Sequence, residues 1–242
     1  MVSPASQPHS TAVEDYAKAI YALETRSGGA VSNNALAERL GVTPGSASGM
    51  VRKLDELGLV THVPYKGVVL TEPGRKVALE MLRHHRLLEL YLAESLGLPW
   101  DRVHAEAEVL EHHISEELEE LIAAKLGNPT HDPHGDPIPT RELVLEESPS
   151  ESLAALEVGA RGRFTRISDQ DPAMLRYLSN RGIRPGDDFV VVDKQPFGGP
   201  LFVRFHPATG RAEAARAGAA ATADVHVLGG ALAAAMRVEV AR

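Results

Sequence analysis

The chain has 242 residues, of which 43% are hydrophobic, and it carries a formal net charge of −8, 11 histidines and no cysteine. This length suits two or three small domains with real cores, which excludes wholesale disorder. The lack of cysteine excludes disulfide frameworks, cysteine-ligated zinc fingers, iron–sulfur clusters and thiol nucleophiles. No apolar run approaches the roughly 18 residues of a membrane helix, and the N-terminal sequence lacks signal-peptide features, so we expect a cytoplasmic protein without membrane association.

The negative charge is concentrated in one segment. Residues 1–83 have a net charge of +1, residues 84–150 of −11 and residues 151–242 of +2. Seven of the 11 histidines also lie in the middle segment. Because the charge of each segment determines its partners, the acidic total does not argue against nucleic-acid binding by the N-terminal segment.

The N-terminal segment has the pattern of three helices. Apolar residues at helical spacing over residues 13–23 predict the first helix. Ser32 and Gly41 predict the start and the end of a short second helix. Thr43 is a favourable N-cap and Pro44 a favourable first residue for the third.

Two short helices joined by a glycine-containing turn are typical of the helix-turn-helix motif. Residues 59–71 then predict two strands around a turn at 64–67, which is the arrangement of a wing. We therefore predict a DNA-binding winged helix; a bundle that binds protein or nothing is the alternative. The expected DNA-contacting residues lie at the start and outward face of the third helix and on the wing: Thr43, Pro44, Ser46, Ser48, Arg52 and Lys66.

Histidines and glutamates recur at helical spacing in the acidic segment. His85 and Glu89 are four residues apart on a helix predicted from Thr71 to about Leu96. A second helix, predicted over residues 102–127, carries a hydrophobic stripe that we expect to face inward: Val103, Ala107, Leu110, Ile114, Leu118 and Leu121. Beside it lies one stripe of four further ligand candidates: His104, Glu108, Glu111 and His112.

Carboxylates and imidazoles that border a buried face are costly unless they are paired or bound to metal. Oxygen and nitrogen ligands without thiolate suit Mn²⁺ or Fe²⁺, and also Zn²⁺. An acidic surface helix with incidental histidines is the alternative. A hydrolytic metal site is less favoured, because the sequence has no HExxH motif and no nucleophile elbow.

The remainder of the chain predicts a connector and a small β domain. Residues 131–139 are rich in Pro, Gly and Asp; His131 and His134 could ligate a metal there, but we favour a flexible, solvated linker. After Ser150, five β-like stretches separated by Gly and Pro turns predict a small barrel, with a short helix over residues 171–180.

In combination, these segments resemble the diphtheria-toxin-repressor family of metal-dependent transcription repressors, well over about residues 10–140 and loosely beyond. The motifs that carry the resemblance are EDY (14–16), VTPGSASGMVRKLDELGLV (42–60), HRLLE (85–89), VHAEAEVLEHH (103–113) and the linker-like HGDPIPT (134–140). The resemblance implies a mainly α protein with a small β domain. Its expected parts are a winged helix-turn-helix domain (1–72), a helical metal-binding and dimerisation domain (73–140), and a linker plus SH3-like barrel (141–242).

The resemblance also implies two neighbouring metal sites in each subunit. The expected primary ligands are Asp15, Glu108, Glu111 and His112. The expected ancillary ligands are His85, Glu89 and His104, with Asp171 or alternatively Asp169 donated by the SH3-like domain. Capping of the helix at Ala173 is the alternative role for these two aspartates.

The ligand types bear on the choice of metal. Asp15 and Glu108 are carboxylates, as in the manganese-sensing branch of the family, where the iron-sensing branch is expected to carry Met and Cys. Oxygen in place of sulfur disfavours late and thiophilic metals. Two residues depart from the family: Lys18 stands where compact manganese sensors carry Glu, and Gly49 where a longer polar residue is usual.

We therefore predict a homodimeric, Mn²⁺-activated repressor of metal-uptake genes that binds a palindromic operator in double-stranded DNA. We expect no enzymatic activity and no organic cofactor. An Fe²⁺-dependent repressor of iron-uptake genes is the main alternative, and a metal-binding enzyme is the less favoured one.

Overall fold

A computed structural model describes residues 9–146, 148–167, 171–208 and 225–241. The chain forms two compact units. The first contains residues 1–85, 109–119 and 139–145, and the second contains residues 86–108, 120–138 and 146–242. Among the described residues, no helix combines the length and the apolar character needed to cross a lipid bilayer.

The first unit begins with the winged helix that the sequence predicts. Its elements are α1 (Thr11–Ser27), α2 (Asn33–Leu40), α3 (Pro44–Glu56) and the antiparallel hairpin of β1 (Val60–Val63) and β2 (Gly67–Leu70). Their inward faces form one core, which includes Val13, Ala17, Ile20, Leu36, Ala47, Val51, Leu54, Val60 and Val68.

Hydrogen bonds between residues close in sequence define where these helices begin and end. The Ser32 hydroxyl accepts from the backbone N–H of Ala35 (3.2 Å), and the Thr43 hydroxyl accepts from that of Ser46 (3.2 Å). Gly41 ends α2 in the left-handed conformation. Since these caps satisfy backbone groups that have no partner inside the helix, they define helix ends from a few neighbouring residues.

A backbone bridge attaches β2 of the wing, close to its turn, to the segment between α1 and α2. The N–H of Val31 donates to the carbonyl of Val68 (2.8 Å), and the N–H of Val68 donates back to Val31 (3.0 Å). Gly67 lies beside this bridge at a φ of 118°, and a Cβ there would be 2.0 Å from the Val31 carbonyl oxygen. Only glycine satisfies both the backbone angle and the close approach.

We expect Gly67→Ala to lower the free energy of unfolding by more than about 1 kcal/mol, because it combines a strained φ with a backbone clash. Gly49→Ala is the matched control, since Gly49 lies in α3 and a Cβ added there would meet no atom within 4 Å. Alanine stabilises an exposed helix interior by up to about 1 kcal/mol relative to glycine. Thermal denaturation of both variants tests this, and equal stabilities would contradict it.

Helix α4 (Glu72–Glu94) follows the wing, and the Thr71 hydroxyl caps it. The prediction of a single helix over residues 102–127 is wrong. The chain instead forms α5 (Val103–Leu110) and α6 (Glu116–Lys125), with the Ser115 hydroxyl accepting from the N–H of Leu118 (3.2 Å). The Ser115 cap starts a new helix where propensity alone favours continuation.

This break also changes the predicted hydrophobic stripe. Val103 and Ala107 are buried as expected. Leu110, Leu118 and Leu121, which the stripe places inward, are 38%, 45% and 61% exposed. The stripe is therefore not one continuous buried face.

The second unit contains a six-stranded antiparallel sheet with the strand order β3-β8-β4-β5-β6-β7. The strands are β3 (Glu151–Ser152), β4 (Arg161–Ile167), β5 (Asp188–Lys194), β6 (Leu201–His206), β7 (Val225–Leu228) and β8 (Met236–Val240). The sheet packs with α7 (Pro172–Ser179), α8 (Gly230–Ala235) and a 3₁₀ turn (Leu153–Ala155) around one hydrophobic core. The five predicted strands and the predicted short helix are all present; β3, the 3₁₀ turn and α8 were not predicted.

Candidate metal centre

Three predicted ligands of the first unit converge between α1 and the turn that follows α5. Asp15, Glu111 and His112 each place one ligand atom within 4.8 Å of the other two. His112 Nε2 lies 3.1 Å from Asp15 Oδ1 and 3.6 Å from Glu111 Oε1. The helix break after Leu110 lets Glu111 and His112 point to one place although they are adjacent in sequence.

Glu14 orients the imidazole of His112. Its Oε2 accepts a hydrogen bond from His112 Nδ1–H (2.7 Å). A proton on Nδ1 leaves the lone pair of Nε2 directed at Asp15 and Glu111, which is the tautomer that a metal ligand needs. The sequence pattern did not predict this role, although Glu14 belongs to the EDY motif, because residue spacing carries no signal for an orienting carboxylate.

Glu111 is completely buried and both of its oxygens have partners. Lys18 Nζ lies 2.6 Å from Oε1, and His85 Nδ1 lies 2.5 Å from Oε2. Lys18, the departure from compact manganese sensors, therefore provides a positive charge from α1. His85, expected in the ancillary site, contacts a primary-site residue here.

A second set of buried ion pairs links α4 to α6 within the first unit. Glu119 accepts from Arg83 Nε (2.5 Å) and lies 3.0 Å from His84 Nε2, while His84 Nδ1 lies 3.1 Å from the Glu111 carbonyl oxygen. Burial lowers the pKa of His84, but Glu119 raises it by a larger amount. The pKa of His84 is therefore above its usual value. Burial raises the pKa of Glu119, but His84 and Arg83 lower it overall. These charged contacts hold the ligand-bearing turn against α4.

The second unit contains a further group of Glu89, Asp132 and His134, whose ligand atoms also lie within 4.8 Å of one another. All three residues are buried. His134 Nδ1 lies 3.4 Å from Glu89 Oε2, and its Nε2–H donates to the Trp100 carbonyl (2.9 Å). Within the described ranges, His134 Nδ1 and Asp132 Oδ2 have no hydrogen-bond partner. Because buried polar atoms require partners, this group fits a divalent cation.

Residues 131–139 were expected to form a solvated linker. This expectation is wrong for Asp132 and His134, because both side chains are buried. Asp132 Oδ1 accepts from the N–H groups of His134 (2.8 Å) and Asp136 (2.9 Å), which folds the segment into a compact turn. Gly135 has a φ of 87°, and a Cβ there would be 1.9 Å from the Thr165 carbonyl oxygen. The turn therefore packs tightly on β4. His131, in contrast, is exposed.

Two predicted ancillary ligands meet within the second unit. His104 Nδ1 lies 3.2 Å from Glu89 Oε1, and His104 Nε2 lies 3.8 Å from Glu108 Oε1. Asp171 caps α7 by accepting from the N–H of Ala173 (2.8 Å), and it belongs to none of the three-ligand groups found among the described residues. Asp169 lies outside the described residues.

The predicted DNA-contacting residues lie at the start of α3 and at the wing. Thr43, Pro44, Ser46, Arg52 and Lys66 are exposed. Ser48 is half-buried, and its hydroxyl accepts from Asn33 Nδ2 (2.9 Å), which ties α3 to α2. Direct contact of these residues with DNA stays a prediction.

Glu14→Gln is expected to weaken Mn²⁺ binding at the first group about 10- to 100-fold, since an amide no longer enforces the ligating tautomer of His112. Glu38→Gln, an exposed glutamate of α2, is the control. Titration with Mn²⁺ followed by electron paramagnetic resonance measures both affinities. If the two variants bind Mn²⁺ with equal affinity, Glu14 does not orient His112 for metal binding.

In the second group, the pKa values of Asp132 and His134 are strongly raised. Burial and the nearby Asp136 and Glu89 raise the pKa of Asp132 from 3.8 to about 8. Burial lowers the pKa of His134, but Glu89 and Asp132 raise it from 6.5 to about 9 overall. Both folded-state pKa values exceed the unfolded ones, so protons stabilise the metal-free fold and this stability is lost as pH rises.

We expect the Tm of the metal-free protein to fall between pH 6.5 and pH 9, the interval in which His134 loses its proton and Asp132 completes its ionisation. Thermal denaturation across this range tests the expectation. The double variant Asp132→Asn, His134→Gln should flatten the profile. A wild-type Tm that rises over the same interval would contradict the assignment.

Comparison with known proteins adds independent evidence. Residues 9–68 match the family model described as the iron dependent repressor N-terminal DNA binding domain, residues 71–140 that of the metal binding and dimerisation domain, and residues 151–217 that of the FeoA domain. The iron-dependent repressor IdeR of Mycobacterium tuberculosis is 40% identical over 205 residues, which cover 78% of this chain and 87% of the relative. The diphtheria toxin repressor of Corynebacterium efficiens is 31% identical over 193 residues, covering 75% and 83%.

A solved structure shows the same similarity. A manganese-dependent transcriptional repressor in complex with manganese superposes with a TM-score of 0.80 at 41% identity, over 95% of this chain and all of the other. The structure of the manganese regulator SloR superposes with a TM-score of 0.69 at 28% identity, over 98% and 100%.

Proposed function

Because this chain belongs to the iron-dependent repressor family, and is thus a metal-dependent transcription repressor rather than an enzyme, we propose that Mn²⁺ activates it. The observation that carries the proposal is the ligand set of the first group. Asp15, Glu111 and His112 offer oxygen and nitrogen donors without sulfur. Such donors suit a hard divalent cation. The manganese complex of a 41% identical repressor supports the same metal.

Two ions per subunit are part of the proposal. The first ion would be held by Asp15, Glu111 and His112. The second would be held by Glu89 and His134 with Asp132, a set that differs from the predicted ancillary ligands. Asp132 Oδ2, which lacks a hydrogen-bond partner among the described residues, and the approach of His134 Nδ1 to Glu89 Oε2 support this second assignment.

The proposed activation depends on the position of α1. Asp15 lies on α1, whose inward face belongs to the core of the winged helix, while Glu111 and His112 lie after α5. When bound, a divalent cation supplies the positive charge that lets the clustered carboxylates approach one another. Without it their repulsion opposes the Lys18–Glu111 contact that also joins α1 to this turn, so the junction is looser. We infer that the junction sets the orientation of α3 and so couples metal affinity to DNA affinity reciprocally.

The proposed repressor acts as a homodimer on a palindromic operator. Val109, Leu110 and Leu118 are exposed apolar side chains of the segment that matches the metal-binding and dimerisation model. Exposed apolar side chains in this segment support a dimer interface. A two-fold dimer presents two recognition helices to two half-sites. Action on chromosomal DNA would place the protein in the cytoplasm.

Fe²⁺ is the second candidate, because relatives of 40% identity are named iron-dependent repressors and because affinity for one site rises from Mn²⁺ to Fe²⁺. Its target genes would then be iron-uptake genes rather than the metal-uptake genes of a manganese sensor.

Mn²⁺ should raise the affinity for operator DNA, selected from genomic fragments, by at least about tenfold, which corresponds to a coupling free energy near 1.4 kcal/mol. Gel-shift titrations under anaerobic conditions, with each metal added separately, measure this. Equal operator affinity with and without Mn²⁺ would refute the activation mechanism. Activation by Fe²⁺ alone would favour the second candidate.

The double variant Asp15→Met, Glu108→Cys should shift the selectivity from Mn²⁺ towards thiophilic metals, because sulfur replaces oxygen. Glu106→Cys, an exposed glutamate of α5, is the control for an added thiol. Unchanged selectivity in the double variant would remove Asp15 from the first ligand set and would contradict the prediction that Glu108 is a metal ligand.

A further inference from the structure

The turn at the tip of the wing holds a tyrosine in a backbone conformation that favours glycine. The N–H of Lys66 donates to the carbonyl of Val63 (3.0 Å) and closes a four-residue turn. Pro64 occupies the second position and Tyr65 the third, with a φ of 62°. Turns with a positive φ at the third position strongly prefer Gly or Asn there, because a Cβ is disfavoured.

The side chain of Tyr65 does not repay this strain by burial. It is 109% exposed, so its ring contributes no apolar burial to the winged helix. Fold stability alone would thus favour glycine at position 65. Backbone strain that persists without compensating packing is typical of residues kept for a function.

The wing presents this ring from a well-defined place. The paired hydrogen bonds between Val31 and Val68 hold β2 of the hairpin close to the turn, and β1 starts four residues after α3 ends. The neighbouring Lys66 is exposed too, which adds a positive charge to the tip. The wing as far as residue 68, including Tyr65 and Lys66, lies within the match to the DNA-binding domain model.

We propose that Tyr65 contacts the sugar–phosphate backbone of bound DNA, with its hydroxyl donating to a phosphate oxygen next to the Lys66 ammonium. Tyrosine hydroxyls are established donors to DNA phosphates, and such contacts position the protein without reading sequence. The positive charge of Lys66 and the accessible hydroxyl donor of Tyr65 both suit a polyanionic partner. The proposal rests on the DNA-binding role and is independent of the activating metal.

The test compares wild type, Tyr65→Gly, Tyr65→Phe and Lys66→Ala. Phe197→Gly is the matched control, since Phe197 is 104% exposed at a φ of 60° and lies in the second unit. Fluorescence anisotropy with a short duplex of arbitrary sequence at low salt measures binding, because a backbone contact does not require the operator. Each protein is measured with and without Mn²⁺, and Tm is recorded in parallel.

We expect Tyr65→Gly to weaken DNA binding about tenfold, in line with the loss of a hydrogen bond to a charged group. Tyr65→Phe should weaken binding to a similar extent, because it keeps the ring but lacks the hydroxyl donor. The dependence of log K on log salt should be unchanged in Tyr65→Gly and shallower by about 1 in Lys66→Ala, since only lysine neutralises a phosphate. Phe197→Gly should bind like the wild type.

DNA binding by Tyr65→Gly within about twofold of wild type would overturn the proposal. A Tm loss beyond that of Phe197→Gly would also overturn it, because the tyrosine would then be structural. Equal wild-type affinity with and without Mn²⁺ would contradict only the proposed activation, and the Tyr65 comparison would still stand. Failure of the wild type to bind any duplex at low salt would overturn both.

Discussion

Burial of the Glu111 carboxylate is the constraint on which the first unit depends. Its side chain has no solvent exposure, and an isolated buried charge costs several kcal/mol. Lys18 from α1 and His85 from α4 contact its two oxygens, so three parts of the chain are held together by one anion. Removal of either partner would leave this buried carboxylate only partly compensated. The positions of α1 and the ligand-bearing turn are therefore coupled before any metal is considered.

The two buried ligand groups solve the same electrostatic problem differently. In the first, the ammonium of Lys18 accompanies Glu111 as a permanent positive charge. In the second, burial and neighbouring carboxylates raise the pKa of Asp132, and the carboxylates raise that of His134 despite its burial, so protons take the place of a fixed cation. A cation must displace those protons, so its affinity for the second group depends more steeply on pH. Two sites of similar ligand chemistry can thus respond to different conditions.

In the wing, the demands of stability and of function fall on different neighbouring residues. Gly67 is required by the close approach of the wing to Val31. Two residues earlier, Tyr65 adopts a positive φ where glycine would be easier for the fold. The same hairpin therefore contains one residue that packing demands and one that packing does not explain.

Features that depend on neighbouring residues could be predicted from the sequence. The caps at Ser32, Thr43 and Thr71 and the glycine at 41 predicted the helix ends, because a cap depends on only three or four residues. The β-like stretches separated by Gly and Pro turns in the C-terminal segment predicted its five longer strands for the same local reason. The ligand types, carboxylate and imidazole without thiol, already limited the choice of metal.

The remaining features required the folded chain. The break between α5 and α6, the orienting role of Glu14 and the burial of His134 all depend on partners far away in sequence, such as His112 for Glu14 and Trp100 for His134. Residue spacing along one helix describes only which side chains share a face. Whether a buried side chain has a cation, a proton or a hydrogen bond as its partner depends on which distant segments pack around it, and that is a property of the tertiary structure.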